Sequence, residues 1–106
     1  MPIVKLVDLP AKNLFPGITL RHVHTEKMTL GEGELAAGAV LPVHQHPHDQ
    51  MSYMLAGQAE FTVGTETRVM EAGMCAVIPG GTPHSARALT ACRFLDVFAP
   101  VREDYR

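Results

Sequence analysis

An all-β fold of short antiparallel strands closing into a jelly-roll-type β-barrel is the class this 106-residue sequence predicts. Three observations predict it. Nine glycines and eight prolines recur along the whole chain and cut it into pieces of strand length. Those pieces alternate apolar and polar residues, or run apolar, over about five to seven positions each. No stretch sustains the 3.6-residue period of a helix.

Taken in order, strands are expected over 18–24 (ITLRHVH), 28–35, 51–56, 59–63, 68–71, 75–78 and 93–98. Gly57-Gln58 and Gly64-Thr65-Glu66 read as hairpin connections, making the middle of the chain an antiparallel meander. Met28, Met51, Met54, Met70 and Met74 fall on the strand patterns and are assigned to core filling. Tyr53 is placed either at a pocket or on the outer sheet, and Arg87 faces outward. At this length one domain over residues 1–106 is expected, and burial beyond its modest core would come from self-association, most simply a homodimer covering an apolar outer sheet and its edges.

A net charge of -2, from eleven acidic and nine basic residues, includes no basic patch or acidic tail, which argues against nucleic acid or a membrane surface as partner. A small molecule is expected instead. Pro2, Lys5, Asp8, Pro10 and Lys12 interrupt the first residues, so they contain no apolar run suited to a signal peptide or a membrane span. Cys75 and Cys92 lie in apolar contexts without metal-type spacing and are expected as buried reduced thiols, which fits a cytoplasmic setting.

Chemistry concentrates in two blocks, residues 38–57 and 73–88. His44 and His46 stand two apart, the spacing that points both side chains from one face of a strand. Gln50 follows four residues later, and His84 arrives from the second block between turn-forming Pro and Gly residues. If the fold joins the blocks, three imidazoles and one carboxamide surround one divalent metal ion and leave positions open for substrate or water. The donors suit Zn, Ni, Fe or Mn. Pro47 interrupts the chain before His48, which is therefore left out of the set, and His22 and His24 are expected at solvent rather than at the mouth of the site. On 93–98, alternation puts Phe94, Asp96 and Phe98 on one face; if that face is interior, Asp96 is an acid or base candidate. Arg102 follows Pro100 and either clamps a substrate carboxylate or pairs with Glu103 or Asp104.

The spacings Gly38, His44, His46, Gln50, Gly57 and Gly73, Pro79, Gly81, His84 resemble the two motifs of the cupin superfamily. Two positions depart from it: Gln50 stands where most cupins carry Glu, and Ala88 where the second motif usually ends in Asn. Exchanging a carboxylate for an amide leaves the ion with more uncompensated positive charge, which favours Lewis-acid chemistry over reaching an oxidised state. More narrowly, HQHPHDQ, IPGGTPHSARA and LDVFAPVREDY resemble the KdgF-type cupins, with a match running from Pro16 to Tyr105. That resemblance implies His44, His46, Gln50 and His84 as metal ligands and Asp96 and Arg102 as catalytic residues, with Phe98 and Arg102 contacting substrate. It also implies the activity, conversion of 4,5-unsaturated uronate monosaccharides from pectin or alginate lyase action to linear keto forms, so the expected partner is an anionic sugar. The competing expectations are another cupin enzyme, a dioxygenase or cyclase, and a non-catalytic sugar-binding sensor.

Overall fold

The computed structural model describes residues 2–106 as nine strands and two short 3-10 turns, Leu6–Asp8 and Glu103–Tyr105. The strands are β1 (Ile18–His24), β2 (Thr29–Leu35), β3 (Val40–His44), β4 (Asp49–Ala56), β5 (Ala59–Val63), β6 (Glu66–Met70), β7 (Cys75–Ile78), β8 (His84–Ala88) and β9 (Cys92–Ala99). They form two antiparallel sheets, ordered β1-β2-β9-β4-β7 and β3-β8-β5-β6. The all-β expectation stands, but the sheets pack face to face without closing into a barrel. No helix among the described residues is long and apolar enough to cross a membrane.

Period-2 alternation turns Ile18, Leu20, Leu35, Met54, Ile78 and Phe94 of the larger sheet inward, onto Ala59, Phe61, Met70, Ala86 and Ala88 of the smaller. Gly33 makes room for this packing, since a Cβ there would stand 2.3 Å from the Phe94 ring. Three methionine assignments hold in the core region, with Met54 and Met70 buried and Met74 packed against them; Met28 and Met51 are instead exposed. Met51 and Tyr53 alternate outward from Ser52 and Met54, and Met51 pairs with Val77 and Val97 in an apolar row on the outer face. Cys92 is buried as expected and Cys75 is exposed, because it opens the edge strand β7 on the outward phase.

The expected hairpin at Gly57-Gln58 is corrected. β4 and β5 belong to different sheets, and the turn carries the chain from one to the other. Gly57 has φ of +84°, and a Cβ would lie 2.1 Å from the Ala91 carbonyl oxygen, so this corner requires glycine. The Gly64 turn does form the β5–β6 hairpin. Two strands escape the sequence patterns. β3 holds Pro42 and is mostly outside the core, as an edge strand can be, while β8 (HSARA) fills its inner face with small side chains that give little hydrophobic signal.

Truncating Met54, fully buried, to Ala is expected to cost about 2–5 kcal/mol in urea unfolding. Met28→Ala, on an exposed turn, should stay within about 0.5 kcal/mol of wild type. Equal costs at the two positions would contradict the facing of the strands.

Candidate metal centre

Both sheets change character at the same end. Along their inner faces, Leu20 gives way to His22 on β1, Met54 to Ser52 and Gln50 on β4, Ala86 to His84 on β8, and Phe94 to Asp96 on β9. Register aligns these changes across strands: His22 pairs with Gly31, Gly31 with Asp96, and Asp96 with Ser52. His22, Asp96 and Ser52 therefore share one cross-strand row above an apolar floor, with Gln50 two residues away on β4 and His84 on the other sheet.

The expected histidines converge there. His44 ends β3 and pairs with His84 at the start of β8. His46 lies past the strand end in the turn into β4, so its convergence comes from that turn rather than from strand alternation. The turn is pinned to the loop before β8: Gly81 donates its N–H to the His46 carbonyl at 2.8 Å and Gly80 to Asp49 Oδ1 at 2.8 Å. Gly80 permits the approach, because a Cβ would meet the Pro47 carbonyl oxygen at 2.2 Å. As a result, ligand atoms of His44, His46 and His84 lie within 4.8 Å of one another. His48 stays outside this group.

Each ring is held by its Nδ1, which faces a backbone carbonyl: Pro42 for His44 at 2.8 Å, His48 for His46 at 3.1 Å, and Thr82 for His84 at 2.8 Å. A carbonyl only accepts, so in His44 and His84 Nδ1 carries the hydrogen and Nε2 keeps its lone pair. His84 Nε2 is buried with no hydrogen-bond partner. In His46 both ring nitrogens face acceptors, the His48 carbonyl and, 2.9 Å from Nε2, Gln50 Oε1, so ligation through Nε2 would place the hydrogen on Nδ1 and turn both Nε2 and Oε1 to the ion. Two donors each about 2.1 Å from one ion take a separation of this size at right angles. Burial holds the His84 imidazole down at about 4 and lowers that of His46, keeping both neutral and ready to ligate. The three imidazoles and the Gln50 oxygen thus fit a divalent ion.

The other end of the Gln50 amide donates to Asp96 Oδ1 at 3.2 Å, and Ser52 also donates to that oxygen. Gln50 Nε2 is 3.0 Å from Ser52 Oγ as well. Asp96 is 8% exposed, and burial pushes its carboxyl up to about 6 despite the opposing pull of the Ser52 and Gln50 hydrogen bonds and the Arg102 charge. Both protein hydrogen bonds fall on Oδ1, which leaves Oδ2 for a ligand.

Arg102 is buried, with its guanidinium carbon 4.7 Å from the centre of the Phe98 ring and 4.2 Å from that of Tyr105. Asp104 occupies one edge of its fork, through Nε at 3.0 Å and Nη2 at 2.7 Å. Of the two expectations for Arg102, pairing with Asp104 is what the structure shows, and the guanidinium also lines the site. Gln50, Asp96, Phe98, Arg102, Tyr105 and His22 are among the residues lining a narrow inner cavity of about 40 Å³.

His22 is not at solvent, as expected, but 9% exposed, and His24 is half-buried and hydrogen-bonded to Thr29. Ser52 and Tyr105 also line the site and are not among the candidates the sequence offers. Ser52 could have been found from its position two residues after Gln50 on the same strand face; Tyr105, in the tail beyond β9, offered no such signal.

A model of the cupin domain family matches residues 31–98. Among solved structures the chain is similar to KdgF from Halomonas sp., with a TM-score of 0.88 and 31% identity over 94% of each chain. It is also similar to oxalate decarboxylase from Bacillus subtilis, a protein with Mn(II) centres, at a TM-score of 0.83 and 27% identity over 92% of this chain and 29% of that one. A third relative is dimethylsulfoniopropionate lyase DddQ from Ruegeria pomeroyi, 39% identical over 54 residues, which are 50% of this chain and 27% of that one.

The buried groups give opposite pH dependences in the metal-free protein. His22 and His84 bind protons near 6.5 when unfolded but only near 4 when folded, so their contribution to stability is lost as pH falls from 6.5 through 4. Asp96 binds its proton near 6 when folded and 3.8 when unfolded, so its contribution is present at low pH and lost as pH rises through 6. Removing the opposing group in Asp96→Asn should therefore steepen the loss of stability on acidification from 6.5 to 4. Urea unfolding across that range checks this, and parallel curves for variant and wild type would contradict it.

Proposed function

The chain belongs to the cupin domain family, and from that premise we propose that it is a metal-dependent isomerase converting 4,5-unsaturated uronate monosaccharides to linear keto forms. The observation that carries this reading is Asp96, a buried carboxyl with Oδ2 left for a ligand, tied through the Gln50 amide to the three-imidazole cluster. Such a substrate must lose a proton at one atom and gain one at another without any net oxidation. In outline, the C1 hydroxyl releases its proton as the bond from C1 to the ring oxygen breaks, giving an aldehyde and an enol at C5. Protonation of C4 and loss of the enol proton then give the ketone.

A divalent ion held by His44, His46, His84 and Gln50 would supply a Lewis acid near a substrate oxygen. Asp96, whose carboxyl burial pushes up to about 6 in the metal-free protein, is suited to take up and return a proton at Oδ2. Arg102 carries the positive charge for the substrate carboxylate, on the side of its fork not taken by Asp104. Phe98 and Tyr105 both pack their rings against that guanidinium, and Phe98 offers an apolar face to the sugar. A sugar acid exceeds the inner cavity, so only its reacting edge enters while the rest remains at the mouth. The similarity to KdgF supports this choice of substrate.

The similarity to a dimethylsulfoniopropionate lyase favours a second reading, elimination from a small zwitterionic carboxylate with Asp96 as the base. Decay of the enol-ether absorbance of an unsaturated monouronate tests the first reading. Protein loaded with Zn, Ni, Fe or Mn should exceed the spontaneous rate, and Asp96→Asn should keep its metal content while losing about 100-fold or more in kcat. Activity on dimethylsulfoniopropionate with none on the uronate would replace the first reading with the second.

A further inference from the structure

His22 lies in the same cross-strand row as Asp96, separated from it only by Gly31. With strands about 4.8 Å apart, a residue without a side chain between them opens a gap on the inner face. The imidazole leans into that gap: a Cβ on Gly31 would stand 2.7 Å from His22 Cδ2 and 3.0 Å from Nε2. Its ring stacks on Tyr105, with centroids 4.2 Å apart and planes at 18°, and it lines the inner cavity with Gln50, Asp96 and Arg102. Nδ1 is buried and has no hydrogen-bond partner. A buried imidazole nitrogen without a partner is costly, and His22 differs from His44, His46 and His84 in that its Nδ1 meets no backbone carbonyl. An apolar ring in the same place would stack on Tyr105 without that cost, so packing does not explain the choice of histidine.

We propose that His22 is a substrate-contacting residue that hydrogen-bonds a hydroxyl of the sugar acid bound between it and Asp96, and that Gly31 is a positioning residue that lets its ring reach there. The choice of ligand rests on the uronate reading above. Burial holds the His22 imidazole near 4, so at neutral pH it is an uncharged ring with one donor and one acceptor nitrogen, suited to a hydroxyl rather than to an anion. The anionic end of the ligand is left to Arg102.

His22→Phe retains a ring against Tyr105 and removes both nitrogens. With metal content matched to wild type, it should raise KM for the unsaturated monouronate roughly tenfold, the scale of one lost hydrogen bond and its unpaired partner. Gly31→Ala, which displaces the ring, should move KM in the same direction, and His22→Asn should recover part of the loss. If His22→Phe does not fold, Gly31→Ala and His22→Asn carry the comparison. In the wild type, ring ¹⁵N resonances of His22 should shift when galacturonate is added to the metal-loaded protein. Turnover by the wild type with KM unchanged within twofold in the variants, or with His22 resonances that do not move, would overturn the role of His22 and leave the uronate reading intact. A wild type with no turnover of the uronate would overturn both.

Discussion

Gln50 answers two opposite demands with one side chain, and the rest of the site depends on it. Its carbonyl oxygen faces His46 Nε2, while its amide nitrogen donates to Asp96. A carboxylate at this position would satisfy the first demand but set a second negative group against the buried Asp96, raising the cost of ionising either one. An amide lets Asp96 sit beside the ligand cluster and still ionise, at about 6 in the metal-free protein. The neutral donor therefore bears on proton transfer as well as on the charge left on a metal.

The fold makes that arrangement rigid. Backbone carbonyls fix the tautomers of His44 and His84 and face Nδ1 of His46, and two glycine N–H groups lock the loop before β8 onto the turn that carries His46. Antiparallel register then stacks the polar row directly above Leu20, Phe94 and Met54, so the well-packed core forms the floor of the site. Ligand-binding groups on strand ends over a packed core are held more precisely than groups on loops alone.

Much of this was legible in the sequence because it depends on spacing. Alternation placed Asp96 and Phe98 on one face of β9, and the Gly, Pro and His spacings joined two distant blocks whose histidines the structure brings together. What escaped depends on neighbours far along the chain. Whether β4 turns into a hairpin or crosses to the other sheet is decided by the Ala91 backbone against Gly57, 34 residues away. β8 is hidden because alanines fill its inner face, and His22 looks like an exposed strand residue until Gly31 is seen beside it. The outward phase of Met51 and Cys75 follows from register, which composition does not reveal.

The most direct test of a carboxyl that moves protons beside a metal cluster is ¹H NMR of an unsaturated monouronate in D₂O with the metal-loaded protein. Accelerated loss of the vinylic C4 hydrogen's environment, with deuterium entering one of the two C4 positions in preference to the other, is the predicted result, since a fixed group delivers from one face. Deuteration at the spontaneous rate and without preference would contradict it and leave the cluster without the assigned chemistry.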